Sequence, residues 1–119
     1  MQGNHFTISY HTAGTLAANH TFTFTVPFAC TLVAVSAVAS NASSGILDVG
    51  TSSDTDLYVS NLDVGDSNVP ALLDEAGDFE SDVYPHIVAG TVVEAELDYD
   101  GAGGTAAANF TLVLTFEEG

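Results

Sequence analysis

The sequence contains no lysine and no arginine, against 16 acidic residues and four histidines, for a formal charge of −16 with His neutral. No Lys or Arg salt bridge can therefore form within the chain. Direct binding to nucleic acid is strongly disfavoured and not expected, because no Lys or Arg can neutralise phosphates. An anionic membrane surface is disfavoured on the same ground. Self-repulsion should cost stability at low salt and be relieved by screening or bound cations. The partners this charge admits are basic protein surfaces, divalent cations and neutral glycans.

Tryptophan is absent and there is a single cysteine, so no internal disulfide can form. Cys30 lies within the apolar run 28–38 and reads as a buried thiol. The opening Met1-Gln2-Gly3-Asn4-His5 has neither a basic n-region nor an apolar h-region, so no signal peptide is expected. The glycosylation-type triplets at Asn19, Asn41 and Asn109 then read as chance matches in a chain rich in Thr and Ser. No run is long and apolar enough to span a membrane.

Alternation is what the chain has in abundance. At 119 residues and 46% hydrophobic it can bury the core of a single domain, 1–119. Residues 91–99 put Val93, Ala95, Leu97 and Tyr99 on one face and Glu94, Glu96 and Asp98 on the other. Residues 109–116 set Phe110, Leu112, Leu114 and Phe116 against Thr111, Val113 and Thr115. A period of two over such lengths indicates half-buried strands. The Gly-rich residues 100–105 between them predict a turn, and hence a C-terminal β-hairpin.

Residues 5–10 and 19–26 alternate as well, the second with His20, Phe22, Phe24 and Val26 on one side and Thr21, Thr23 and Thr25 on the other. Pro27 closes that strand. Residues 30–39 are apolar on both faces, with Leu32, Ala34 and Val38 assigned to one side and Val33, Val35 and Ala37 to the other. Residues 11–18 read as a connection turning at Gly14, 45–49 as a short strand and 50–56 as a polar loop. Residues 57–60 read as a strand or a helical turn, and 69–76 as a turn or two of helix. The expected fold is all-β, a single β-sandwich of jelly-roll type with about eight short strands. Its core is expected to include Phe22, Phe24, Phe110, Leu112, Leu114 and Phe116.

No residue pattern announces an enzyme, and no catalytic residue is assigned. No Ser/His/Asp order, nucleophile elbow or phosphate loop is present. Glu94 and Glu96 share a strand face, which reads as solvated rather than as a hydrolase pair. Asp98, Asp100 and Gly101 resemble the start of a calcium loop, but the later ligand positions hold Ala102 and Asn109 and the pattern fails. Asp54 with Asp56, and Asp98 with Asp100, stay as metal candidates for a Ca²⁺ site assembled across loops or subunits; no other cofactor is implied. Each pair reads more simply as solvated loop carboxylates. The histidines are not at metal-ligand spacing. Thr21, Thr23, Thr25, Thr111 and Thr115, with Val113, suggest a flat, mildly apolar surface suited to another subunit.

In stretches 27–40, 50–56, 85–93 and 98–119 the chain resembles small structural proteins of tailed bacteriophages. The closing Asp98-Tyr99-Asp100-Gly101-Ala102-Gly103-Gly104-Thr105-Ala106, running into 110–116, carries most of the likeness. The resemblance implies a capsid decoration (cement) protein, a jelly-roll homotrimer seated on the major capsid protein at the virion surface. It supplies no catalytic residues. The absence of Lys and Arg departs from that family's pattern and leaves open how the chain would hold a capsid. The alternatives are a Ca²⁺-dependent or glycan-binding module of a phage fibre or tail, and a subunit of an extracellular filament.

Overall fold

Nine strands carry the fold in a computed structural model that describes residues 4–119. The start of the segment read for a leader, 1–3, lies outside the described residues. The strands are β1 (His5–Thr15), β2 (His20–Thr25), β3 (Cys30–Val38), β4 (Ile46–Thr51), β5 (Asp54–Asp63), β6 (Ala71–Leu73), β7 (His86–Ile87), β8 (Val92–Asp98) and β9 (Ala108–Glu118). One sheet has the order β1-β9-β3-β6, with β7 also paired to β3; the other has the order β2-β8-β4-β5. All the pairings between these strands are antiparallel. Counting β6 and β7 as one interrupted strand, this is the jelly-roll order that the alternation led us to expect.

The core follows from the period of two. Phe110, Leu112, Leu114 and Phe116 on β9 are fully buried, as are Val93, Ala95 and Leu97 on β8. β9 occupies a central position, flanked by β1 and β3, and β8 lies between β2 and β4. Phe116 stacks on Phe6 at 5.1 Å and meets Phe24 edge-on at 5.4 Å, tying the two sheets together. Phe22 and Phe24 differ from expectation: they are only partly buried and pack against the core from its rim. β2 is an edge strand, and among the described residues no strand continues its sheet beyond it.

The expected C-terminal hairpin does not form. β8 and β9 belong to opposite sheets, and residues 99–107 carry the chain across the sandwich. The apolar faces of the two strands look at each other across the core instead of lying side by side. The crossing is held by hydrogen bonds to the β3–β4 connection. Ser44 N donates to Thr105 O at 2.9 Å, and Asn41 Nδ2 to Ala106 O at 2.9 Å. Ala108 N donates in turn to Asn41 Oδ1 at 2.9 Å. Gly101 has φ +61, and a Cβ there would run into the Ser44 carbonyl oxygen. The glycine is thus required twice, by its backbone angle and by close approach.

Other boundaries move for identifiable reasons. The adjacent-strand hairpin is β4–β5, where Thr51 pairs with Asp54 within the stretch read as a polar loop. Residues 57–60 belong to β5. Within residues 69–76, Ala71–Leu73 forms β6, and the chain then enters a single 3₁₀ turn, Ala76–Asp78, rather than a longer helix. β1 runs on to Thr15 through a register shift between Thr12 and Thr15, with Gly14 at φ +79 accommodating it. In β3 the register against β9 shifts between Leu32 and Ala34. Leu32 is buried before the bulge, but Val35, Ala37 and Ala39 are buried after it. The single parity assigned across 30–39 therefore fails, because one extra residue exchanges the two faces.

Candidate functional site

The two outer faces of the sandwich are chemically unlike. On the β1-β9-β3 sheet, Thr7, Ser9 and His11 of β1 lie opposite Thr115, Val113 and Thr111 of β9. Ser36 and Val38 of β3 continue the same face, opposite Val113 and Thr111. Leu72 on β6 pairs with Ser36 and is 56% exposed. Among the described outward positions of β1, β9 and β3 the carboxylate is Glu117, whose Oε2 lies 3.2 Å from His5 Nε2. His11 Nδ1 lies 2.7 Å from Thr111 Oγ1, and His86, opposite Thr31, also points outward. The face is close to neutral, and three of the four histidines in the sequence sit on it.

On the other sheet the outward residues of β8 are Val92 at its start, then Glu94, Glu96 and Asp98. Glu96 sits directly between Thr21 of β2 and Asp48 of β4. Like charges placed opposite one another across a ladder oppose pairing. Asp48 spends part of its charge locally, its Oδ1 accepting from Asn61 N at 2.7 Å.

The proposed Thr surface is divided by this arrangement. Thr21, Thr23 and Thr25 are exposed on edge strand β2, beside the glutamates, while Thr111 and Thr115 lie half-buried on the neutral face. The two metal-candidate pairs are separated as well. Asp98 pairs with Ile46 at one end of β4, and Asp54 with Thr51 at the other, a span of about 17 Å for a strand of that length. Asp100 Oδ1 accepts from Ala102 N at 3.1 Å, closing a local turn. Asp56 hydrogen-bonds Asp54 and holds its carboxyl above the ordinary carboxylate value, with partial desolvation and mutual repulsion acting in the same direction. Among the described residues no group of three or more His, Cys, Asp or Glu is placed to hold a metal ion.

The triplet asparagines have structural partners. Asn19 Oδ1 accepts from Tyr99 N at 3.1 Å, and Asn109 Oδ1 from Gly14 N at 2.7 Å. Asn41 bonds the β9 entry as described. Cys30 is fully buried, and burial pushes its thiol upward, away from the reactive thiolate.

One region escaped the sequence altogether. The β2–β3 connection, the segment from the 3₁₀ turn to β8 and the start of β5 converge at one end of the sandwich, beside the C-terminus, where Gly119 N donates to Ala29 O at 2.9 Å. Among the described residues, six of the eight large apolar side chains that stand exposed lie there: Phe28, Leu57, Val83, Tyr84, Val88 and Val92. A pocket of about 280 Å³ opens among Leu57, Tyr58, Glu80, Ser81, Val83, Pro85 and His86. In sequence Leu57, Val83, Tyr84 and Val88 lie in polar or turn-rich stretches, while Phe28 and Val92 belong to separate apolar and alternating runs, and no single period joins them.

No family model and no curated protein matches the chain. Among solved structures it is similar to a chain of the cyanophage Pam1 capsid asymmetric unit, with a TM-score of 0.58 and 15% identity, over 99% of this chain and 87% of that one. At that identity the likeness is one of fold, and it extends along nearly the whole chain.

Proposed function

We propose that the chain is a structural protein of a phage virion, a decoration (cement) protein that binds the outside of the shell through the major capsid protein as a homotrimer. The observation that carries this reading is the near full-length likeness to a chain of a phage capsid asymmetric unit. The two faces support it. Copies of so acidic a chain repel one another wherever carboxylates meet. The neutral face with Thr111, Val113 and Thr115 is where they can approach, which makes it the contact between copies. The glutamate-bearing face is left to solvent and to basic groups. The protein acts by adding contact area to the shell, not by chemistry. If Ca²⁺ takes part, Asp54 with Asp56 or Asp98 with Asp100 would each need ligands from a neighbouring copy, since Ca²⁺ takes six to eight oxygens.

The test is mass spectrometry of purified virions of the phage that encodes the chain, together with the native mass of the pure protein by light scattering, with and without chelator. Stoichiometric copies alongside the major capsid protein are expected, and virions without the chain would sink the reading. Thr111→Glu is expected to split the trimer. Loss of the trimer in chelator would place a metal at the contact between copies.

A further inference from the structure

Among the described residues, six of the large exposed apolar side chains lie at the apolar end of the sandwich, and Leu57 and Val83 share one pocket there. Leu57, Val83 and Val88 are 42%, 57% and 63% exposed. Grouped apolar side chains of this kind mark protein contact sites. The pocket among Leu57, Val83 and Pro85, at about 280 Å³, falls below the ~300–1,000 Å³ usual for small-molecule sites. It suits a protruding side chain rather than a metabolite.

The rim decides what kind of partner can seat there. Glu80 lines the pocket, Asp82 precedes Val83, and Asp56 precedes Leu57. Asp54 stands in the adjoining β4–β5 turn. A second copy of this chain would bring the same carboxylates against these, and with no Lys or Arg anywhere its one ionisable nitrogen base lining the pocket is His86. Self-pairing through this end is therefore opposed by charge. A partner with an apolar centre ringed by cationic side chains meets both requirements.

We infer that this end of the sandwich, centred on the Leu57–Val83–Pro85 pocket, is a docking site for a different protein that presents an aliphatic or aromatic side chain surrounded by Lys and Arg. If the decoration reading holds, that partner is the shell protein. The sandwich then stands end-on, with its neutral face free for neighbouring copies and its glutamates turned to solvent. The identification of the partner rests on that reading; the chemistry of the site does not.

The test has two arms. In the first, the ¹⁵N-labelled full chain is titrated with a synthetic peptide of two leucines flanked by arginines, and with a counterpart flanked by glutamates. Amide shifts are expected at this end with the arginine peptide alone, weakening at least tenfold in Val83→Asp and in Leu57→Asp. Both positions are exposed, and an unchanged melting curve verifies folding. Shifts centred on Glu94 and Glu96 instead, or equal binding by Val83→Asp, would overturn the inference. So would a native mass that falls in Val83→Asp, since the end would then be a self-contact. In the second arm, the chain is added to shells of its own phage stripped of it. Binding by the wild type that Val83→Asp loses supports the inference. Equal binding by both defeats it and leaves the decoration reading standing. No binding by the wild type, with the peptide result intact, defeats the decoration reading and leaves the docking chemistry standing.

Discussion

The two outer faces of this sandwich are built on a single core by the same alternation, yet one is nearly neutral and the other acidic. Thr111, Val113 and Thr115 on β9 and Glu94, Glu96 and Asp98 on β8 occupy equivalent outward positions on central strands. The inward residues of both strands are fully or almost fully buried. Burial fixes the inside and leaves the outside free, so the difference between the faces reports what each meets. A chain of charge −16 that keeps one broad face nearly clear of carboxylates has a surface where close approach costs little.

The largest expected effect lies beneath both faces and would erase the contrast by unfolding them together. Phe116→Ala should cost about 3–5 kcal/mol, because the ring is fully buried and touches both sheets. Urea denaturation measures it, and a loss under 1 kcal/mol would mean that the core can close over the gap. Next is the crossing that assigns β8 and β9 to different faces. Gly101→Ala should destabilise by about 1–3 kcal/mol, since it meets both a positive φ and the Ser44 carbonyl.

The third prediction separates the faces directly. Glu96→Gln should stabilise by about 0.2–1 kcal/mol at low salt, because Glu96 faces Asp48 across the ladder. The gain should fade in 1 M salt, where charges are screened beyond about 3 Å. Thr115→Val on the neutral face should show no such salt dependence. Equal salt dependence in the two variants would remove the electrostatic distinction between the faces.

Two pH limbs give smaller effects. Burial raises the Tyr10 and Tyr58 phenols, and the Asp100 charge is the first cause of a rise at Tyr99. Each is an acid that the fold prefers neutral. Their contribution is complete below the ordinary value of 10.0 and is lost as pH climbs above it. Tyr58→Phe should therefore blunt alkaline unfolding followed by circular dichroism. The smallest effect belongs to exposed Asp54. Its folded value is raised, so its contribution is present below the ordinary 3.8 and is lost as pH rises through the folded value. Asp54→Asn should flatten that part of the melting-temperature profile without moving the rest.

Much of the fold was legible because period-two patterns speak about faces. The burial of Phe110, Leu112, Leu114 and Phe116, and the outward position of Glu94 and Glu96, follow from alternation alone. The same pattern is silent about partners. Residues 91–99 and 109–116, joined by a Gly-rich stretch, carry the signature of a hairpin and are equally compatible with a crossing between sheets. The hydrogen bonds from Ser44 and Asn41 decide between them, and those residues lie more than fifty positions upstream. The β3 bulge was hidden for a related reason: a strand apolar on both faces carries no marker of the residue at which its parity changes. Alternation gives the outward direction of the Thr residues, but period two gives a face and not a sheet, so residues on two opposite surfaces read as one.

Composition and alternation are enough to establish that the chain is all-β, that its core is aliphatic and aromatic, and that a partner must tolerate or seek negative charge. These properties are written in composition and in neighbours two residues apart. Which strands share a sheet, which carboxylates face each other and where Leu57 and Val83 meet around one pocket follow from the tertiary structure alone. Each of these depends on contacts between residues far apart in the chain, and such contacts leave no local period to read.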